Sequence, residues 1–164
     1  MTKPAKKNRK VVFGIAIAVL LLLVYNIYSY YGAKIVLPGK KIPSITGNDP
    51  VTNTVTSLDL LKGKTIVNFW ATWCGTCVKE LPYLNEVSKQ HRVVGVIKGP
   101  FTKGKSHLSK ISFKNVIARE SLFNELMIAI LPTSILVENG VIAEVHIGVL
   151  NKSIVSKWFS GQND

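Results

Sequence analysis

Both cysteines of the chain lie in one stretch, "NFWATWCGTCVKELP", Asn68 to Pro82, as Cys74 and Cys77 with two residues between them. Sulfur at this spacing can do three things: act as a dithiol–disulfide couple, clasp the chain as a structural bridge, or supply half of a metal site. A bridge closing so short a loop constrains the unfolded chain little, so it stabilises weakly. A structural zinc site wants four Cys/His ligands, and His91, His107 and His146 show no paired ligand spacing. Heme attachment through C-x-x-C-H is disfavoured, because Val78 follows Cys77. The redox couple is the reading the spacing supports best.

The elements around the pair must put it to work. "TIVNFWA" is a β-branched and aromatic run, apolar on both faces, and predicts a central strand covered on both sides. Beyond the cysteines, Leu81, Leu84 and Val87 recur at three-residue spacing and predict one face of a helix, with Pro82 inside it unable to donate to the carbonyl of Val78. A strand ending at Trp70 and a helix starting near Cys74 place the first sulfur at a helix N-terminus. Free N–H groups and the macrodipole there favour a thiolate and lower the thiol pKa. One turn on, Cys77 is within reach to resolve a mixed disulfide formed at Cys74.

Further along, the pattern predicts a strand at "RVVGVIKG", a basic loop with a short helix at "PFTKGKSHLSKISFK", and a brief strand at "NVIA". A helix is expected at "ESLFNELMI", with Leu122, Leu126 and Ile130 inward. "TSILVENGVIAEVHIG" reads as a hairpin about Asn139-Gly140, a pair that favours positive φ. "NKSIVSKWFS" gives a last helix with Ile154, Val155 and Trp158 inward. Upstream, "VTNTVTSLDLLKGK" suggests extended chain to Thr56 and then a short helix from Ser57 to Leu61, closed by Gly63. Alternating strands and helices imply an α/β domain with a central mixed sheet.

The N-terminal end has another character. Residues 1–10 hold five of the 21 Lys and Arg and none of the nine acids; no charge interrupts Val11 to Ala33. A helix crosses a ~30 Å hydrocarbon core with about 20 apolar residues. The expectation is a basic cytoplasmic segment at 1–10, a transmembrane signal anchor at 11–31, a linker at 32–41 and a folded domain at 42–164. Tyr25, Tyr28, Tyr30 and Tyr31 stand at the far interface, and the positive-inside rule puts the domain outside the cytoplasm. A cleaved signal peptide would end in a small-residue site, and "YSYYGAKI" is a poor one. The formal charge of +12 fits a solvated basic surface, and the dispersed lysines do not form a nucleic-acid module.

"VNFWATWCGTCVKELP" together with "ILPTSILVENGVIAEVHIG" resembles the thioredoxin superfamily, specifically its membrane-anchored extracytoplasmic branch of TlpA/ResA-like, cytochrome c maturation and ScsD-like thiol-disulfide oxidoreductases. The likeness runs from about Leu58 to Phe159. It implies a thioredoxin-like α/β fold behind an N-terminal transmembrane helix, with a redox-active Cys74–Cys77 disulfide and no other cofactor. Cys74 would be the nucleophile and Cys77 the resolving thiol. Pro132 would be a cis-proline lying against the disulfide, and Leu131 would offer backbone hydrogen bonds to substrate. Trp73 would flank the sulfurs, with Gly75 and Thr76 tuning them. Where cytoplasmic thioredoxins have a buried carboxylate, this chain has Asn68; Glu80, three residues after Cys77, is the candidate proton acceptor.

The family implies a single-pass protein of the bacterial inner membrane, its catalytic domain periplasmic. Its partners would be disulfide-containing exported proteins and a membrane electron donor such as a DsbD/CcdA-like transporter. The leading function is disulfide reduction, in cytochrome c maturation or envelope stress protection. The alternatives are an oxidase or isomerase running the other way, and a thioredoxin-fold copper-binding assembly factor using His146 as third ligand.

Overall fold

The computed structural model describes residues 8–32, 38–99, 105–109 and 111–160. It divides into two compact units, Met1–Ile35 and Val36–Asp164. The first contains α1, Asn8–Gly32, a 25-residue helix whose described side chains, Val11 to Ile27, all face solvent. Among the described residues no helix is long and apolar enough to cross a membrane. The described side chains cover only about 25 Å of α1, at ~1.5 Å per residue. The side chains of Tyr28, Tyr30 and Tyr31 lie outside the described residues, as do residues 1–7 and 33–37.

The second unit is one seven-stranded mixed sheet. Its strands are β1 (Ile45–Asn48), β2 (Val55–Leu58), β3 (Lys64–Trp70), β4 (Arg92–Lys98), β5 (Lys114–Ala118), β6 (Thr133–Glu138) and β7 (Val141–Ile147), in the order β2-β1-β5-β4-β3-β6-β7. The expected central strand is therefore β3, parallel to β4 and antiparallel to β6. Helices α2 (Gly75–Val87), α3 (Lys105–Leu108), α4 (Glu120–Glu125) and α5 (Lys152–Phe159) complete it.

Strand periodicity sorts the side chains of β3. Val67 and Phe69 enter one core with Phe123 of α4, Val96 and Ile135. Ile66 and Trp70 enter the other with Cys77, Leu81 and Leu84 of α2 and Trp158 of α5. Asn68 shares their parity and so belongs to the α2 face. Each large side chain fully buried in these cores stabilises by about 1.5–3 kcal/mol.

Two expectations change and one element is added. Ser57 to Leu61 is not a helix: Val55–Leu58 is β2, paired with β1 through Ile45↔Leu58, and the chain then bends to Gly63. The helix at "ESLFNELMI" stops at Glu125, because Met127 adopts a left-handed φ of 54°; Leu122 and Leu126 are buried but Ile130 is 56% exposed. Strand β1 is a further element, and Gly47 is required in it: a Cβ there would fall onto the carbonyl oxygen of Ile117 in β5. The hairpin forms as expected, with Asn139 at φ 50° and Gly140 at φ 80°. Before β1, Lys41 bridges to Val141, and Gly39 N–H donates to the Ile142 carbonyl at 2.7 Å, covering part of the outer edge of β7.

Candidate active site

Cys74 is the N-cap of α2, at φ −86° and ψ 99°, and its sulfur accepts the N–H of Cys77 at 3.3 Å. Cys74 Sγ and Thr76 Oγ1 stand 3.4 Å apart, so two donors can converge on that sulfur once it is reduced. This is the arrangement that favours a thiolate. The two cysteines form a disulfide, with Cα atoms 5.2 Å apart. They differ in access: Cys74 is 8% exposed and Cys77 is fully buried.

The Leu131–Pro132 bond is cis, and Pro132 is buried. Register places it at the end of the sheet where α2 begins, since Thr133 of β6 pairs with Phe69 of β3. The Pro132 carbonyl is taken by the N–H of Gly148 at 2.8 Å, and Thr133 Oγ1 donates to the Ile130 carbonyl at 2.7 Å. Leu131 is partly buried and packs against the core cluster that includes both sulfurs. Trp73 is 66% exposed, so it is not a core aromatic. Gly75 and Thr76 are exposed, and Gly75 has open space where a Cβ would sit.

Behind the sulfurs lies a buried polar group. Glu80 is 2% exposed on the same buried side of α2 as Cys77. Its Oε1 accepts the N–H of Leu150 at 2.5 Å, and its Oε2 accepts Asn68 Nδ2 at 3.3 Å. Burial pushes its carboxyl above the ordinary 4.5, against the Leu150 N–H and the Asn68 amide, which pull it down. Tyr83, half-buried one turn on, has its phenol raised by burial and then by the charge of Glu80. No ion pair reaches Glu80 among the described residues.

Two members of this group were not singled out from the sequence. Ser134 faces Asn68 across the β3–β6 ladder and accepts its Nδ2 at 2.9 Å. The hydroxyl in an otherwise aliphatic strand, "SILV", was the available signal. The Leu150 donor is backbone and leaves no mark on composition. His146 sits on β7 opposite Ser134, with Nε2 3.1 Å from the Val149 carbonyl, and no cluster of metal-ligating side chains occurs among the described residues.

A helix-capping Cys-x-x-Cys disulfide after a central strand, with a cis-proline at the same end of the sheet, defines the class: a thioredoxin-fold domain. The model for the family described as Redoxin matches residues 37–98. The thiol-disulfide oxidoreductase ResA of Geobacillus kaustophilus is 28% identical over 93% of this chain and 95% of its own length. The thioredoxin-like protein YneN of Bacillus subtilis is also 28% identical, over 78% of this chain and 83% of its own. A thioredoxin family thiol:disulfide interchange protein of Chlorobium tepidum superposes with a TM-score of 0.62 at 24% identity, covering 76% of this chain and 96% of that one.

The chain has the thioredoxin fold and is a protein thiol-disulfide oxidoreductase.

Proposed function

We propose that the protein is a membrane-anchored, extracytoplasmic disulfide reductase that transfers two electrons from the Cys74/Cys77 dithiol to disulfides of exported proteins. The observation that carries the reading is the unequal burial of the two sulfurs: Cys74 caps α2 at the surface, and Cys77 lies beneath it. The Cys74 thiolate attacks one sulfur of the substrate disulfide, forming a mixed disulfide and releasing the first substrate thiolate. Cys77 gives its proton to Glu80, directly or through water, and attacks Cys74 Sγ. The Cys74–Cys77 disulfide closes and the second substrate thiolate leaves. The disulfide itself is the only redox group this cycle requires.

A membrane dithiol donor, such as a DsbD/CcdA-like transporter, would return the pair to its reduced state. The uncharged run from Val11 to Ala33 behind a basic start supports the anchor and the outward-facing domain. The similarity to the thiol-disulfide oxidoreductase ResA supports the exchange chemistry; the reductive direction, and substrates such as cytochrome c apoprotein or stress-exposed envelope proteins, are part of the proposal. Substituting Cys77→Ala in cells should leave substrates trapped on Cys74, and the wild-type pair should be found mainly reduced. A pair that stays oxidised in cells, with no adducts on Cys74, would overturn the proposal.

A further inference from the structure

The amide of Asn68 is fully buried, and its two ends are treated unequally. Nδ2 donates in two directions, to Ser134 Oγ at 2.9 Å and to Glu80 Oε2 at 3.3 Å, whereas Oδ1 has no hydrogen-bond partner. An orphaned buried acceptor costs about 1–3 kcal/mol, and folded proteins keep few of them. On β4 the register neighbour of Asn68 is Gly95, which brings no side chain to it.

The two partners of Nδ2 have one property in common: each can reverse its role. An ionised Glu80 only accepts, so the amide must present Nδ2 to it, and the Ser134 hydroxyl accepts as well. A protonated Glu80 has an O–H to give, as does Ser134. Turning the amide by about 180° about χ2 would then bring Oδ1, with two lone pairs, to the place now held by Nδ2. The same two bonds form with donor and acceptor exchanged, and one end of the amide is orphaned in either state.

We propose that Asn68 is a positioning residue that reorients with the proton on Glu80, Ser134 reversing with it, so that the buried carboxyl keeps its hydrogen bond in both protonation states. This rests on the reading of Glu80 as the acceptor of the Cys77 proton, and it explains what an amide does at a position where a carboxylate would repel Glu80 and a leucine would leave its Oε2 unpaired. Burial raises the proton affinity of Glu80, which favours the protonated state more than in an exposed carboxyl. Among the described residues few other charges face the carboxyl. Tyr83 lies on α2 itself, the disulfide closes Cys77 in the oxidised form, and the titratable groups of β3 and β6, Lys64 and Glu138, pair with each other at 3.8 Å at the far end of that ladder. The β7–α5 connection brings the Leu150 N–H, with His146 on β7 turned to the Val149 carbonyl.

The test is nuclear magnetic resonance on the full, oxidised, isotope-labelled chain in detergent micelles, where no exchange chemistry can occur. The Glu80 carboxyl carbon is followed through pH together with cross-peaks from the Asn68 side-chain N–H pair. Above the Glu80 midpoint the N–H pair should show contacts to Ser134 Hβ. Below it those contacts should be lost, with the same midpoint, and Glu80→Gln should make them independent of pH. Contacts that persist unchanged on both sides of the midpoint would overturn the reorientation. Reductase turnover of Glu80→Gln is read separately: full activity there would sink the proton-acceptor role while the resonance result still decides the amide.

Discussion

The site has a rim and an interior, and they are built on opposite terms. At the rim Trp73 is 66% exposed, Gly75 and Thr76 are open to solvent, and Cys74 keeps a sliver of surface. A few ångströms of chain further in, Cys77, Glu80, Asn68 and Ser134 are all at 2% exposure or less. Electron exchange between sulfurs needs contact with a partner protein, which only surface can give. Control of a proton needs the reverse, because a carboxyl excluded from water holds its proton to a higher pH. The two demands are met one helical turn apart on α2. Changes at the rim should therefore alter which partner is served, and changes to Glu80 and the groups that hydrogen-bond it should alter the pH at which the site works.

Glu80→Gln is the strongest way to break that division. Glutamine keeps the volume and can still accept from Leu150 N–H, but it cannot take a proton from Cys77. Loss of a general base typically slows a step by about 10²–10⁴-fold, so resolution of the mixed disulfide should fall by that order while its formation at Cys74 does not. Stopped-flow kinetics of the two half-reactions measure this, and equal slowing of both would erase the distinction between rim and interior. The same substitution should change stability. Folded Glu80 keeps its proton above the 4.5 of the free group, so the folded chain binds more protons in that window. The resulting stability is full below the ordinary value and is lost as pH rises through the raised folded one. The wild-type Tm should fall across that rise, and the Tm of Glu80→Gln should not.

Gly95→Ala sharpens the comparison by disturbing the interior without touching its proton chemistry. A Cβ on Gly95 would fall onto Asn115 Oδ1, which accepts Trp70 Nε1–H at 3.0 Å. Overpacking of this kind costs about 1–3 kcal/mol. Denaturant unfolding should show that loss, while the pH profile of turnover stays where it was. A shifted profile would mean that Trp70 and Asn115 belong to the proton-handling group.

How far such a division can be read in advance depends on the reach of the contacts. The both-sides-apolar run at β3, the three-residue spacing on α2 and the Asn-Gly turn are local patterns, and each produced the element expected. The cysteine pair and the cis-proline followed from motif and resemblance. Where the reading failed, a distant partner decided. Ser57 looked like a helix cap until β1 offered Val55–Leu58 a strand to pair with. Asn68 and Ser134 are 66 residues apart in sequence, so their hydrogen bond was visible only once β3 and β6 lay side by side. The left-handed Met127 that turns Ile130 outward has no signal in residue type, since methionine is not a residue that seeks positive φ.

That outward Ile130 adds an apolar side chain two residues before the cis-proline, as Trp73 does one residue before Cys74, and it bears on the smallest effect. Trp73 contributes little to the fold, because an indole two-thirds in solvent has little burial to lose. Trp73→Ala should therefore change unfolding free energy by no more than about 0.5 kcal/mol. Its cost should fall on encounter instead. With a folded protein substrate KM should rise by up to about tenfold, equivalent to ~1.4 kcal/mol of binding, with kcat unchanged. A small disulfide such as oxidised glutathione has no surface to lay against the ring, so its kinetics should hardly move. If instead both substrates lost kcat equally, Trp73 would be acting on the sulfurs themselves. The boundary between rim and interior would then have to be drawn outside Cys74 rather than beneath it.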